Sequence, residues 1–367
     1  MLYNMIKAYL AIVSNFRKPI SPILTFIGIC ILRIMVSVGM AVDFIFFPSV
    51  HKQKIIKPIV IVGNPRSGTT FLQRFLVDRK IGVGMKLWKM LFPSLTLQTL
   101  FKPFLSMMER ISPARFHFHA AHETNLTAIE TDDPALLFRY FDGFFVYGFF
   151  LTGAKEDLKS HFDPQVRDTS MRDFKWLEKV WKRNLISEKH QQVIAKLFSL
   201  GVRIPKFLEY FPDAKILYTL RDPMETVPSG LSLVTGVLDG RFGFWNLPEE
   251  KRAIFIKRLY EALLELSMRF HDDFLKRNIP GEKIMIVRYD RMMNDFEGLM
   301  KEILTFIEFE PTNELLETIK KTSDKQKSRK SEHKYSLAQF GLNEERIRKD
   351  YAQIYKTFFS ENVEIII

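Results

Sequence analysis

The segment Gly63-Asn64-Pro65-Arg66-Ser67-Gly68-Thr69-Thr70 combines residue types that suit an anion. Gly63 and Gly68 let a backbone turn tightly and approach a ligand closely. Arg66 supplies a rigid fork of donors for an oxyanion, and Ser67, Thr69 and Thr70 add hydroxyls. A turn of this kind, between the end of a strand and the start of a helix, points several N–H groups at one place, where phosphate oxygens fit. The spacing is nearly that of the nucleotide-triphosphate loop G-x-x-x-x-G-K-[ST]. Its lysine position holds Thr69, and the cation sits inside the loop at Arg66. A kinase or NTPase built on this loop lacks the lysine that meets its β- and γ-phosphates. The plain alternative is a glycine turn capped by threonine. The coincidence of strand, loop and helix start favours phosphate binding by Arg66, Ser67, Gly68, Thr69 and Thr70.

A second cluster is R-D-P-M-E-T-V-P-S, Arg221 to Ser229. Arg221 stands where an apolar run ends, and Ser229 follows eight residues later. Together they can hold a further phosphate from the side. Alternatively, Arg221 and Asp222 form a local ion pair and Pro223 opens a helix at its first turn.

These residues need elements to position them. Ile59–Val62 is a short apolar run ending in glycine and reads as a buried parallel strand. Phe71–Val77 reads as a helix. Gln192–Leu197, Lys215–Leu220 and Lys283–Val287 read as further strands, each leading into a loop and a helical stretch. Strands alternating with helices predict an α/β fold, a three-layer α/β/α arrangement with helices on both faces of a central parallel sheet. The Lys/Ser-rich stretch Lys320–Ser331 reads as a mobile loop.

The pair P-R-S-G-T-T and R-D-P…S resembles the two signature segments of the PAPS-dependent sulfotransferases, in the broad branch with Arg in the first loop. The resemblance extends from about Lys57 to Phe358. It includes W-K-M-L-F-P (Trp88–Pro93), F-P-D-A-K (Phe211–Lys215), V-R-Y-D-R-M (Val287–Met292) and H-K-Y-S-L-A-Q-F-G-L (His333–Leu342). It implies a P-loop-type fold and transfer of a sulfonate group from PAPS (3′-phosphoadenosine 5′-phosphosulfate) to a hydroxyl or amine. The first segment then binds the 5′-phosphosulfate, and Arg221 with Ser229 binds the 3′-phosphate. Lys196 resembles the lysine that touches the transferred group. Arg329 and Lys330, with Lys334, resemble the basic loop that closes over the 3′-phosphate, although Ser331 replaces the glycine that follows there. The same residues also read as a solvated charge run.

The family's chemistry requires no metal, and the eight histidines lack ligand spacing. An acceptor hydroxyl must lose a proton as it attacks. The cytosolic branch carries a histidine two residues after the strand lysine, and Phe198 stands there in this chain. The segment His119–Asp133 resembles the acceptor-side segment of the family. It offers Glu130 first, then His122, then Glu123. Helix-capping and surface roles around Asp133-Pro134 are the alternative.

Bulk properties agree with a globular enzyme. Of the 367 residues, 47% are hydrophobic and 26% charged, and 34 are Phe. The one cysteine, Cys30, cannot form an intrachain disulfide, which fits a reducing compartment. The net charge of +12 suits an anionic partner such as a nucleotide or a membrane surface. No nucleic-acid reader motif is present.

Residues 1–55 read as an apolar helical segment and 56–367 as the catalytic domain. Pro22–Phe47 is almost wholly apolar, broken by Arg33 and Asp43. A central Arg costs roughly 2.5–3.5 kcal/mol on insertion scales. The segment can lie in a membrane interface, span the bilayer, or pack on the domain. Lys7, Arg17 and Lys18 favour the cytoplasmic face. Phe138–Phe150 suggests an apolar or lipid acceptor, or plain core. Two rivals stand beside the transferase: a P-loop kinase or NTPase, and a non-enzymatic membrane or scaffold protein with a decayed loop. Affinity for PAP compared with ADP separates all three.

Overall fold

The computed structural model describes residues 1–112, 125–327 and 336–360. Strands β1 (Ile59–Gly63), β2 (Ile194–Lys196), β3 (Lys215–Leu220) and β4 (Ile284–Arg288) form one sheet in the order β2-β1-β3-β4, and every pairing is parallel. All residues of β1 and β2 are buried. A parallel sheet covered on both faces selects continuous apolar runs, so these strands carry no alternation.

Ile59, Ile61, Leu217, Met285 and Val287 share a core cluster with Leu72 and Leu76 of the helix Thr69–Asp78 and with Phe296, Leu299 and Ile303 of the helix Phe296–Phe306. Side chains alternate across a strand, so Tyr218 points to the opposite face. There it stacks on Phe270 of the helix Glu249–Leu275, with ring centroids 3.4 Å apart. Helices therefore cover both faces, as the alternating pattern predicts. β1 pairs with β2 on one side and β3 on the other. The chain leaving β1 thus emerges where connections diverge, the place where open α/β sheets hold ligands.

The chain divides into two compact units. The second comprises Ile56–Gly82, Gln192–Gly230 and Ala262–Ile367, and holds the whole sheet. The first comprises Met1–Ile55, Val83–Gln191 and Leu231–Glu261 and is built of helices. Its N-terminal pair is α1 (Leu2–Phe16) and α2 (Ile20–Phe46). Phe141 is buried between Phe26 and Phe150, at centroid distances of 5.2 and 5.6 Å. Phe144, Tyr147 and Leu151 are buried with it, so the Phe-rich stretch supplies core to this unit.

Asp43 in α2 is fully buried. Its carboxylate accepts from Arg183 Nε at 2.6 Å, Ser94 Oγ at 2.8 Å, and the Leu95 and Thr96 amides at 3.1 and 2.9 Å. It thereby satisfies first-turn amides of the helix Leu95–Phe101. Gly39, one turn earlier, permits the approach, since a Cβ there would lie 2.8 Å from Leu97 Cγ and Ser94 Oγ.

One expected element differs. The stretch predicted as a loop over Lys320–Ser331 is helical as far as Lys327, within the helix Asn313–Lys327. Leu315, Ile319, Ser323 and Gln326 bury one face of it, and the lysines occupy the solvent side. Residues 328–331 lie outside the described residues.

Candidate active site

Three parallel strands end side by side, and each delivers one part of the site. β1 delivers Gly63–Thr70. Gly63 has φ +147°, and a Cβ there would lie 2.3 Å from Thr219 Oγ1 on β3, so only glycine fits. Ser67 Oγ lies 2.6 Å from the same Thr219 Oγ1 and donates to the Asn64 carbonyl at 2.7 Å. Asn64 Nδ2 donates to Ser267 Oγ at 2.7 Å. Gly68, with φ +90°, precedes the helix Thr69–Asp78, and no side chain caps that helix. First-turn N–H groups have no acceptor within their own helix, which suits phosphate oxygens.

Arg66 adopts a left-handed backbone, φ +74°. Such a conformation is unfavourable for a residue with a Cβ and persists where surrounding contacts impose it. Two contacts do so here. Arg66 Nε donates to Ser229 Oγ at 3.1 Å, and Arg221 Nη1 donates to the Arg66 carbonyl at 3.1 Å. The two motifs, about 155 residues apart in sequence, thus interlock at one point. Ser229 lies on the helix Pro223–Phe242, which opens at Pro223 as its sequence predicts, and the serine is buried.

β2 delivers Lys196. Its side chain is 1% exposed, and Nζ donates to Thr70 Oγ1 at 3.0 Å. A buried ammonium with a hydroxyl partner on the phosphate loop is a fixed positive charge close to where an anion would sit.

The structure therefore joins Arg66, Ser67, Gly68, Thr69, Thr70, Lys196, Arg221 and Ser229 within the second unit. Glu130 belongs to the first unit, where it is buried and its amide donates to the Met85 carbonyl at 3.0 Å. His122, Glu123, Arg329, Lys330 and Lys334 lie outside the described residues. Among the described residues no group of His, Cys, Asp or Glu has a metal-binding arrangement.

Sequence reasoning passed over three neighbours of the site. Glu225 accepts from Arg221 Nε at 2.8 Å, a pairing legible from the i, i+4 spacing. Tyr289 lies under the Arg221 guanidinium, 4.1 Å from ring centroid to Cζ. Tyr355 donates a short hydrogen bond to Asp222, the residue after Arg221. Burial, then that bond, pushes the Tyr355 phenol well above its usual range and keeps it protonated. Asp222 is thereby engaged away from Arg221. Glu225 is half exposed, so its hold on Arg221 is weak and a phosphate can displace it.

A central parallel sheet with a glycine-rich turn at its switch point, and cationic side chains gathered at neighbouring strand ends, defines an α/β fold. The sequence model of the Sulfotransferase family matches residues 58–314. The chain belongs to the sulfotransferase family. Its fold is similar to sulfotransferase STF9 from Mycobacterium avium, with a TM-score of 0.67 at 17% identity over 87% of this chain and 81% of that one. It is also similar to sulfotransferase STF1 from Mycobacterium tuberculosis H37Rv, with a TM-score of 0.67 at 17% identity over 96% of this chain and 90% of that one. No curated protein matches the sequence.

Proposed function

We propose that the protein transfers a sulfonate group from PAPS to a hydroxyl or amine of an apolar or lipid acceptor. The observation that carries this reading is the interlock of Arg66 with Ser229 and Arg221. Arg221 and Ser229 lie beside Arg66 of the glycine-rich loop, which supports reading them as the partners of the 3′-phosphate in a nucleotide phosphorylated at both 3′ and 5′ positions. Arg66 and the loop amides hold the 5′-phosphosulfate, and Arg221 with Ser229 holds the 3′-phosphate. As the acceptor oxygen or nitrogen attacks sulfur, the bond from sulfur to the bridging oxygen breaks. Charge gathers on that leaving oxygen, and Arg66 and Lys196 stabilise it. The acceptor's proton passes to a base, for which Glu130 is the first candidate and His122 the second. Arg329 and Lys330 are assigned to close over the 3′-phosphate.

PAP is expected to bind more tightly than ADP, since only PAP offers the 3′-phosphate. Arg221→Ala should weaken PAP by about 1.5–3 kcal/mol more than it weakens ADP, the worth of the charge-assisted hydrogen bond to the 3′-phosphate. A smaller loss shared by both nucleotides is expected, since Arg221 also holds the Arg66 carbonyl. Calorimetric titration of both nucleotides reads this directly. Equal weakening of the two ligands would sink the assignment.

The protein is read as contacting the cytoplasmic face of a membrane through residues 1–55, with an apolar acceptor arriving from the bilayer. The support is α2, whose exposed residues, among them Ile20, Leu24, Ile27, Ile31 and Ile34, include no charge. A carbonate wash is expected to release full-length protein from the membrane fraction, as it does for a peripheral protein. Wholly soluble protein would refute membrane contact, and retention after the wash would establish a spanning helix.

A further inference from the structure

Arg33 of α2 and Arg139 of the helix Asp133–Tyr140 line one narrow cleft in the first unit, with Val36, Leu91, Pro93 and Trp176. The Arg139 guanidinium lies 4.6 Å over the Trp176 ring, and its Nη1 donates to Ser37 Oγ at 2.8 Å. Its Nε is buried, and Tyr140 beside it is a further polar partner of the guanidinium. Arg33 Nη1 donates to the Met1 thioether at 2.7 Å, and sulfur is a weak acceptor. Burial lowers the Arg139 pKa, and the charge of Arg33 lowers it further. Like charges sharing a partly desolvated place repel one another, and an anion between them removes that cost.

The cleft borders a surface that water does not suit. Ile20, Leu24, Ile27, Ile31, Ile34 and Val38 are exposed along α2. Both charges of the helix turn inward, Arg33 to the cleft and Asp43 to Arg183. Basic residues frame the stripe, with Arg17 and Lys18 exposed before it and Lys52 and Lys54 exposed after it. Asp43 is the sole carboxylate before Asp78. An uninterrupted apolar stripe with basic ends and no exposed acid complements an anionic bilayer interface. The helix cannot be ringed by lipid, because it is fixed to its own unit through Phe26 on Phe141 and through Asp43 on Arg183. It lies along the surface instead.

We propose that Arg33 and Arg139 bind the phosphate of an anionic phospholipid headgroup while the outward stripe of α2 rests among the acyl chains. The outward N–H groups of the Arg33 and Arg139 guanidiniums supply the donors at the mouth of the cleft, and Trp176 holds the Arg139 plane in place. This site rests on the membrane contact proposed above and adds to it a preference for headgroup charge.

Vesicle flotation of the full-length protein tests both steps separately, using phosphatidylcholine alone and phosphatidylcholine mixed with phosphatidylglycerol. The wild type is expected to bind both, and the mixed vesicles roughly 10- to 30-fold more tightly. The R33Q/R139Q variant should keep its binding to phosphatidylcholine and lose most of the preference. A charge-matched control, K52Q/K54Q, should keep most of it. Equal loss in the two variants would mean diffuse attraction and overturn the site. A wild-type protein that binds vesicles without regard to charge overturns the site and leaves the membrane contact standing. Failure to bind any vesicle overturns both. Inorganic phosphate distinguishes the anion's source. If millimolar phosphate raises the melting temperature of the wild type but not of R33Q/R139Q, and vesicle charge has no effect, the cleft takes free phosphate and the lipid assignment fails.

Discussion

Lys196→Met is expected to lower kcat by about 100- to 1,000-fold while PAP affinity changes by less than about threefold. A single preorganised donor at a developing negative charge is typically worth that much. Lys196 meets the structural requirement. It ends β2, its side chain is 1% exposed, and its Nζ is held 3.0 Å from Thr70 Oγ1 on the phosphate loop. A charge fixed in this way needs no reorganisation when charge develops on the leaving oxygen. Only an interaction stronger in the transition state than in the ground state raises kcat, so PAP affinity should barely move. Methionine fills nearly the same volume, which keeps the fold and isolates the ammonium's role. Single-turnover sulfonation together with PAP titration separates the outcomes. A loss of PAP affinity equal to the loss of rate would make Lys196 a binding residue and not a catalytic one.

The sheet and the glycine turn after β1 were legible because their signals are local. A strand buried on both faces is a continuous apolar run, and Ile59–Val62 and Lys215–Leu220 announce themselves. Gly63 and Gly68 mark where φ must be positive, and the structure has +147° and +90° there. That Arg66 also adopts a positive φ carries no local signal, because Ser229 and Arg221 impose it from afar. The stacking of Arg221 on Tyr289 is equally non-local. The helix Asn313–Lys327 was hidden for another reason. Its late inward positions are Ser323 and Gln326, so the helical period is present without the apolar residues that reveal it. Asp43 looked like an interruption of an apolar run. Its purpose depends on Arg183, which is 140 residues away and was unremarkable in sequence.

That pair governs the largest expected change in stability. Asp43→Ala should destabilise the protein by about 3–5 kcal/mol, the usual consequence of removing one partner of a buried ion pair. The variant leaves Arg183 with only the Met40 and Lys179 carbonyls, at 3.2 and 3.1 Å. It also strips the Leu95 and Thr96 amides of their acceptor. The double variant Asp43→Leu/Arg183→Met removes both charges and keeps the volume, so it should recover much of the loss. Complete recovery is not expected, because the two amides stay unpaired. The pH dependence follows from the same contacts. Burial acts to raise the Asp43 pKa, but Arg183, Thr96 and Ser94 outweigh it and hold the carboxyl below its ordinary value. A depressed native pKa stabilises fully above the unfolded value of about 3.9, and that contribution disappears as pH falls through the native pKa. Wild type and Asp43→Ala should therefore differ most near neutrality and converge in strong acid. Urea unfolding at neutral and acid pH reads both effects. A loss below about 1 kcal/mol at neutral pH would mean that solvent reaches the pair and that α2 is not anchored through it.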